Sequence, residues 1–124
     1  MNSQRPPRQT PNDSSDAILQ WNIRGIKSNF EELKILIAIH NPLTICLQET
    51  KTDYEKLPTV KGYELSNQES PAEGIAIYVK NGVPYKPVAL KTKLRAAAIK
   101  ATVNNKAITI CSLHIPPDYK LTRR

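Results

Sequence analysis

An alternation of strand and helix patterns in the first third of the chain limits its fold more than any other feature. Residues 17–23 (AILQWNI) have the composition and length of a strand. Ser28 and Glu31 stand three residues apart, as in a capping box, and predict a helix start there. Pro42 ends that helix, since proline excludes the residue before it from the helical region, and residues 43–48 return to a strand pattern. The sequence therefore predicts a βαβ unit of about 30 residues with two parallel strands.

The apolar positions of the predicted helix fall on one face, which would pack against the sheet. These positions are Phe30, Leu33, Leu36 and Ile37. After residue 51 the pattern changes to a period of two, which predicts further strands. These strands cover residues 63–67, 74–80, 95–103 and 106–115. The second half of the chain is thus predicted to be a β-meander that needs a covering layer on its apolar face.

Turn residues divide the predicted meander. Asn81–Gly82 is typical of a two-residue hairpin turn, as is Asn104–Asn105 to a lesser degree. Pro84 and Pro87 cannot donate to a sheet ladder, so the segment between them is predicted to be irregular or an edge strand.

Polar residues close both strands of the predicted βαβ unit. Asn22 ends the first strand and Glu49 follows the second. Parallel strands bring their carboxyl ends to the same edge of a sheet, which is where open α/β sheets usually bind ligands. A carboxylate there suits Mg²⁺, which uses one or two carboxylates together with substrate phosphate, and an amide can orient a water or a phosphate oxygen. The alternative is that both residues are ordinary polar strand ends.

The net charge of +7 is unevenly distributed along the chain. Residues 1–79 carry eight Lys or Arg and ten Asp or Glu, whereas residues 80–124 carry ten and one. So basic a block favours a polyanionic partner, because bound Lys and Arg displace counterions from phosphates. The alternative is a solvated, lysine-rich strand face.

The composition also predicts the setting in which the chain works. The first sixteen residues hold almost nothing apolar, which predicts a disordered leader rather than a signal peptide. No later run reaches the ~18 apolar residues that a membrane span needs. Cys46 and Cys111 each lie in an apolar run, which is typical of buried free thiols in a reducing compartment. We therefore expect a protein that is neither secreted nor membrane-bound.

Four blocks of sequence, in order, resemble one nuclease family. They are LQWNIRGI (residues 19–26), CLQETK (46–51), EGIAIYVK (73–80) and ITICSLHIPP (108–117). Together they resemble the N-terminal portion of the endonuclease/exonuclease/phosphatase superfamily, and within it the endonuclease domain of jockey-like non-LTR retrotransposons. The resemblance implies an α/β fold (an α+β sandwich), the N-terminal half of a four-layer α/β/β/α domain. Beyond the disordered leader that composition predicts at 1–16, the resemblance implies a partial domain at 17–120 and a truncated end at 121–124.

The resemblance assigns a catalytic role to three residues. Asn22 matches the family's phosphate- or water-orienting Asn, and Glu49 matches its metal-binding Glu. Both residues would bind one divalent ion, Mg²⁺ or Mn²⁺. His114 stands where many relatives have a Tyr that contacts the scissile phosphate. The alternative for His114 is a strand-end residue that faces solvent.

Three further residues are predicted to contact nucleic acid. Lys51, beside the predicted metal ligand, would contact a backbone phosphate. Tyr78 would stack on a base or a sugar, and Lys80 begins the basic block. Trp21 also carries a large ring, but it alternates with Asn22 along the strand and is predicted to face the core.

The chemistry that the resemblance implies is metal-dependent hydrolysis of a phosphodiester bond. The parent protein would nick target DNA and leave a 3′-hydroxyl that primes reverse transcription of the element's RNA. The expected partners are DNA and, through downstream domains, that RNA, and the expected location is the nucleus, or the cytoplasm before import. Relatives carry GD-x-N and S-D-H blocks that are not found here, where Asp118 has the only carboxylate side chain after His114. The chain by itself is therefore predicted to be inactive, and to be a monomer or prone to aggregation.

The sequence leaves two other functions open. One is a non-catalytic, nucleic-acid-binding remnant that uses the basic strands after Lys80. The other is a fragment of a different phosphodiesterase or phosphatase branch of the same fold.

Overall fold

The structure is a computed structural model that describes residues 17–68 and 71–115. The predicted disordered leader (1–16) and truncated end (121–124) lie outside these residues, so both stay predictions. None of the helices in the two described ranges combines the length and the hydropathy needed to cross a bilayer.

The predicted βαβ unit is present at the start of the described chain. Strand β1 (Ile18–Asn22) is followed by helix α1 (Phe30–His40) and strand β2 (Thr44–Gln48). The two strands pair in parallel along their whole length, from Ile18 opposite Thr44 to Asn22 opposite Gln48. The strands therefore point the same way, and their carboxyl ends share one edge of the sheet.

The ends of α1 depart in part from the prediction. The N-cap is Asn29 rather than Ser28, and it makes no side-chain capping hydrogen bond. Its side-chain Nδ2 instead donates to the carbonyl oxygens of Ile23 (2.8 Å) and Gly25 (3.3 Å), which ties the helix start to the loop after β1. The predicted end is confirmed at Asn41, whose backbone is left-handed (φ 44°, ψ 56°), a conformation that asparagine tolerates better than most residues.

A four-stranded sheet, here called sheet 1, forms around β2. After a 3-10 turn (Tyr54–Lys56) come β3 (Tyr63–Leu65) and β4 (Ala76–Lys80), and the strand order is β1-β2-β4-β3. Strand β4 runs antiparallel to both of its neighbours. All five residues of β2 are buried, because this central strand is covered on both faces.

A three-stranded antiparallel sheet, sheet 2, holds β5 (Tyr85–Val88), β6 (Arg95–Val103) and β7 (Lys106–His114) in that order. The predicted turn at Asn104–Asn105 is confirmed: both residues have positive φ (52° and 65°), as a type I′ turn requires. The predicted edge strand near Pro87 is also confirmed, since β5 pairs only with β6 among the described strands.

The predicted hairpin at Asn81–Gly82 is wrong. A turn does form there, but the strands on either side of it belong to different sheets. Strand β4 already pairs with β2 on one edge and with β3 on the other, so it has no free edge for β5. The predicted meander is thus divided between two sheets, and each sheet supplies the covering layer that the other needs.

Two apolar clusters make the core. One joins α1 to sheet 1 and includes Leu33, Ile45, Leu47 and Tyr78, with Trp21 packed against it as predicted. The other joins the inner faces of the two sheets. Its buried members are Cys46, Ile75, Ile77, Val79, Ala97, Ile99, Ala101 and Ile110. The described residues therefore form a helix layer and two sheet layers, and the predicted α/β fold class is confirmed.

The burial of the helix gives a direct test of this packing. Leu33 is fully buried against sheet 1, whereas Ile35 on the same helix leaves 59% of its surface exposed. Leu33→Ala is expected to lower the free energy of unfolding by about 2–5 kcal/mol, because it opens a cavity in the core. Ile35→Ala should change it by less than about 0.5 kcal/mol. Urea unfolding followed by circular dichroism measures both, and equal effects would contradict the packing of α1.

Candidate functional site

The loops after β1 and β2 continue the pairing of the two strands. The backbone N–H of Ile23 donates to the carbonyl of Gln48 (3.0 Å), and that of Gly25 donates to Glu49 (2.8 Å). The N–H of Ile26 then donates to Thr50 (2.9 Å). The edge of sheet 1 is therefore a rigid rim rather than a pair of free loops, and we call it the carboxyl rim.

The backbone of this rim is held in left-handed conformations. Arg24, Glu49 and Lys51 have φ values of 52°, 55° and 55°. For residues other than glycine this conformation costs of the order of 1 kcal/mol each, and such costs concentrate at functional sites. The N–H of Thr50 donates to the carbonyl of Gly74 (3.1 Å), so the loop before β4 braces the turn that carries Glu49.

Asn22 and Glu49 meet at the carboxyl rim, as the sequence predicts. The Nδ2 of Asn22 donates to Oε2 of Glu49 over 2.9 Å, although the residues are 27 positions apart. The Oδ1 of Asn22 is buried and has no hydrogen-bond partner among the described residues. A buried oxygen without a partner is unusual in a folded protein, and here it lies beside a carboxylate.

His114 reaches the same rim from the second sheet. Its Nε2 lies 3.8 Å from Oε2 of Glu49, and the side chains are 16% and 32% exposed. This distance is too long for a direct hydrogen bond, and the contact is an ion pair only when the imidazole is protonated. The structure thus brings together the three predicted catalytic residues, two from sheet 1 and one from sheet 2.

The surroundings of Glu49 keep its carboxyl group ionised. The hydrogen bond from Asn22 is the largest influence and lowers the pKa of Glu49 below its ordinary value. Partial burial opposes this by raising the pKa, while the charges of His114, Arg24 and Lys51 lower it further. The net shift is downward, so at neutral pH the group carries the negative charge that a cation requires.

The donor set at the rim fits a hard divalent cation. It offers the Glu49 carboxylate and the unpaired Oδ1 of Asn22, and Mg²⁺ commonly takes one or two protein carboxylates with water and substrate oxygens in its remaining positions. Among residues 17–68 and 71–115, no group of three or more His, Cys, Asp or Glu side chains is placed to hold a metal. Glu49 and Asn22 are therefore the candidate ligands at the rim.

The other predicted nucleic-acid contacts are not all at this rim. Lys51 is exposed there and its charge acts on Glu49. The stacking role of Tyr78 is wrong: its ring is 1% exposed in the core, and its hydroxyl donates to the carbonyl of Pro58 (2.8 Å). Lys80 lies at the opposite end of sheet 1, where its Nζ donates to Oδ1 of Asn41 (2.6 Å). The structure does not bring Lys80 to the predicted site.

Two contributors to the rim are not among the site residues predicted from the sequence. Arg24 adds positive charge near Glu49, and Gly74 accepts the hydrogen bond from Thr50. Gly74 has φ 79°, a conformation that side chains rarely adopt, and a residue added there would face the backbone of Glu49 at 3.8 Å. The glycine at the start of the fourth strand pattern was a signal for such a backbone conformation.

The fold and the rim together define a class of architecture: a helix–sheet–sheet sandwich with a polar site, centred on one carboxylate, at the carboxyl ends of its parallel strands. Among solved structures, the endonuclease domain of TRAS1, a telomere-specific non-LTR retrotransposon, has a similar fold, with a TM-score of 0.62 and 21% sequence identity. The similarity covers 83% of this chain and 47% of that one, so the chain spans about half the length of the TRAS1 domain. The predicted α/β fold is thereby confirmed. Neither a family model nor a curated protein matches the chain.

The geometry of the rim predicts how Glu49 titrates. Asn22→Ala is expected to raise the pKa of Glu49, because it removes the largest interaction that lowers it. The carboxylate of the variant will then become protonated at a higher pH than that of the wild-type protein. Carbon-13 NMR of the side-chain carboxyl group measures this, and Arg24→Ala should give a smaller rise. An unchanged pKa in Asn22→Ala would refute the hydrogen bond.

Proposed function

We propose that this chain is the N-terminal portion of a metal-dependent DNA endonuclease domain of a non-LTR retrotransposon. The observation that carries the proposal is the meeting of Asn22, Glu49 and His114 at one rim, contributed by two different sheets. The parent protein nicks target DNA and leaves a 3′-hydroxyl that primes reverse transcription. The likeness in fold to the TRAS1 domain supports this reading over other uses of a polar strand edge.

In the proposed reaction the rim residues bind and orient. The Glu49 carboxylate and Oδ1 of Asn22 would hold the divalent ion, Mg²⁺ or Mn²⁺, which would supply stabilisation of negative charge on phosphate oxygens. The imidazole of His114 donates a hydrogen bond to an oxygen of the scissile phosphate. Lys51 contacts a neighbouring backbone phosphate as a positive charge. Each of these roles positions the phosphodiester bond for attack by water.

The residues in this chain do not supply a full catalytic set under the proposal. The GD-x-N and S-D-H blocks of the resembled family, which provide the base and the second histidine, have no counterpart in the sequence. Loss of members of a catalytic unit costs orders of magnitude in rate. We therefore propose that the chain alone is inactive, and that its activity belongs to a longer domain acting on nuclear DNA, linked to domains that bind the element's RNA.

Cation binding and nicking test the proposal separately. Glu49→Gln is expected to weaken Mn²⁺ binding by about tenfold or more, since it removes the charged ligand. Glu55→Gln, an exposed carboxylate on the 3-10 turn, should leave binding unchanged. Isothermal titration calorimetry measures both. Supercoiled plasmid incubated with Mg²⁺ and the chain alone should show little nicking. Robust nicking that survives Glu49→Gln would overturn the proposal.

One observation favours a second candidate, a non-catalytic nucleic-acid-binding surface. Lys86 on β5 lies directly opposite Lys100 on β6, and both side chains are exposed. Like charges at opposed positions destabilise a sheet. Within residues 17–68 and 71–115, neither lysine forms a salt bridge with an acidic side chain. A phosphate backbone on this face would relieve the repulsion.

The second candidate predicts a particular salt dependence. If both lysines contact phosphates, the variant with Lys86→Gln and Lys100→Gln should reduce the slope of log affinity against log salt by about 2. Lys34→Gln on the exposed side of α1 serves as the control, with no change expected. Fluorescence anisotropy with duplex DNA gives the slopes, in the absence of metal. Equal slopes for the double variant and the wild-type chain would exclude this surface.

A further inference from the structure

A buried hydrogen bond joins the two sheets directly below the carboxyl rim. Gln48, the last residue of β2, donates from Nε2 to Oγ of Ser112 on β7 over 2.8 Å. The two side chains are only 3% and 0% exposed. Glu49 directly follows Gln48, and His114 lies two residues after Ser112, on the same face of β7. The hydrogen bond between Gln48 and Ser112 therefore lies in the core next to the point where Glu49 and His114 approach each other.

The amide of Gln48 is held at its other end as well. Its Oε1 accepts a hydrogen bond of 2.8 Å from Nε2 of Gln20 on β1. Gln48 thus uses its donor and its acceptor on two different strands, which fixes the orientation of the amide. A continuous path of hydrogen bonds runs from β1 through β2 to β7.

The rest of the contact between the sheets does not define their relative position as sharply. Its buried part consists of aliphatic and small side chains such as Ile77, Val79, Ala101 and Ile110. Two further hydrogen bonds reach across, an exposed one from Tyr85 to Glu64 (3.1 Å) and a long one from Gln68 to the carbonyl of Ala98 (3.5 Å). Apolar contact is non-directional, so it tolerates small displacements of one sheet along the other. A hydrogen bond does not, because its strength falls steeply with distance and angle. A buried amide that loses its partner is also costly.

We propose that Gln48 is a positioning residue: its hydrogen bond to Ser112 sets the register between the two sheets and so holds His114 opposite Glu49. This inference rests on the proposed function of the rim. Residues along a strand are about 3.3 Å apart, so even a fraction of one residue's displacement is large compared with the 3.8 Å between His114 Nε2 and Glu49 Oε2. Misplacement of a reacting group by about 1 Å can lower a rate by about 100-fold.

The test uses NMR on the chain without metal. A nuclear Overhauser effect between the His114 ring and the Glu49 γ-methylene group is expected in the wild-type protein. Gln48→Met, which keeps the volume but not the amide, and Ser112→Ala should each abolish it. Ser112→Thr, which keeps the hydroxyl group, should restore it. A role in packing alone would lower stability in these variants and leave the Overhauser effect intact, and that result would overturn the proposal.

A matched control is available in sheet 1. Ser66, the residue after β3, is also buried (1% exposed), and its hydroxyl oxygen accepts a hydrogen bond from Gln68. Gln68 in turn donates to the carbonyl of Ala98 in sheet 2 over 3.5 Å, so the Ser66 hydroxyl does not itself bond to the other sheet. Ser66→Ala should therefore keep the contact between His114 and Glu49. Loss of that contact in Ser66→Ala would show that any buried serine supports it, which contradicts a specific role for Gln48.

A second arm separates this inference from the proposed function. Paramagnetic broadening of the Asn22 side-chain amide by Mn²⁺ reports ion binding at the rim. It should persist in Ser112→Ala, because Asn22 ends β1 and Glu49 follows β2, two paired strands of sheet 1. Absence of broadening in the wild-type chain would reject the proposed function alone. Broadening with an Overhauser effect that ignores Gln48→Met and Ser112→Ala would reject the positioning role alone.

Discussion

The parallel pairing of β1 with β2 is the constraint on which the site depends. Two strands joined by a helix must end at the same edge, and the backbone hydrogen bonds that continue past both strands hold their loops together. Asn22 and Glu49 are neighbours for that reason alone. Strand β2 lies between the two core clusters, and the polar residues Gln48 and Glu49 stand at its carboxyl end.

The carboxyl rim gains its chemical character from the way in which its charges are arranged. One carboxylate is surrounded by an amide donor and three basic side chains, all of which stabilise its ionised form. Left-handed backbone at Glu49 and Lys51 is tolerated because the loop before β4 and the loop after β1 both bond to this turn. The backbone hydrogen bonds from these two loops therefore stabilise the strained turn at Glu49 and Lys51.

Sequence periodicity and turn residues predicted the elements whose formation depends mainly on residues close together in the chain. The βαβ unit and the Asn104–Asn105 turn follow from periodicity and turn chemistry, and with them the meeting of Asn22 and Glu49. The hairpin prediction at Asn81–Gly82 was wrong because the type of turn does not depend on whether β4 has a free edge. The stacking prediction for Tyr78 was wrong because β4 is covered on both faces, so a side chain on either face can be buried. The bond between Gln48 and Ser112 has no local signature at all.

The long sequence separations at the rim bear on when the site forms. The contact between Asn22 and Glu49 closes a loop of 27 positions, whereas the bond from Gln48 to Ser112 spans 64. Closing longer loops costs more chain entropy, and folds rich in distant contacts form slowly. The pair from sheet 1 can therefore assemble early in synthesis, while His114 joins only after nearly all the described chain has been made. An emerging chain can therefore bring Asn22 and Glu49 together before the imidazole of His114 has been made.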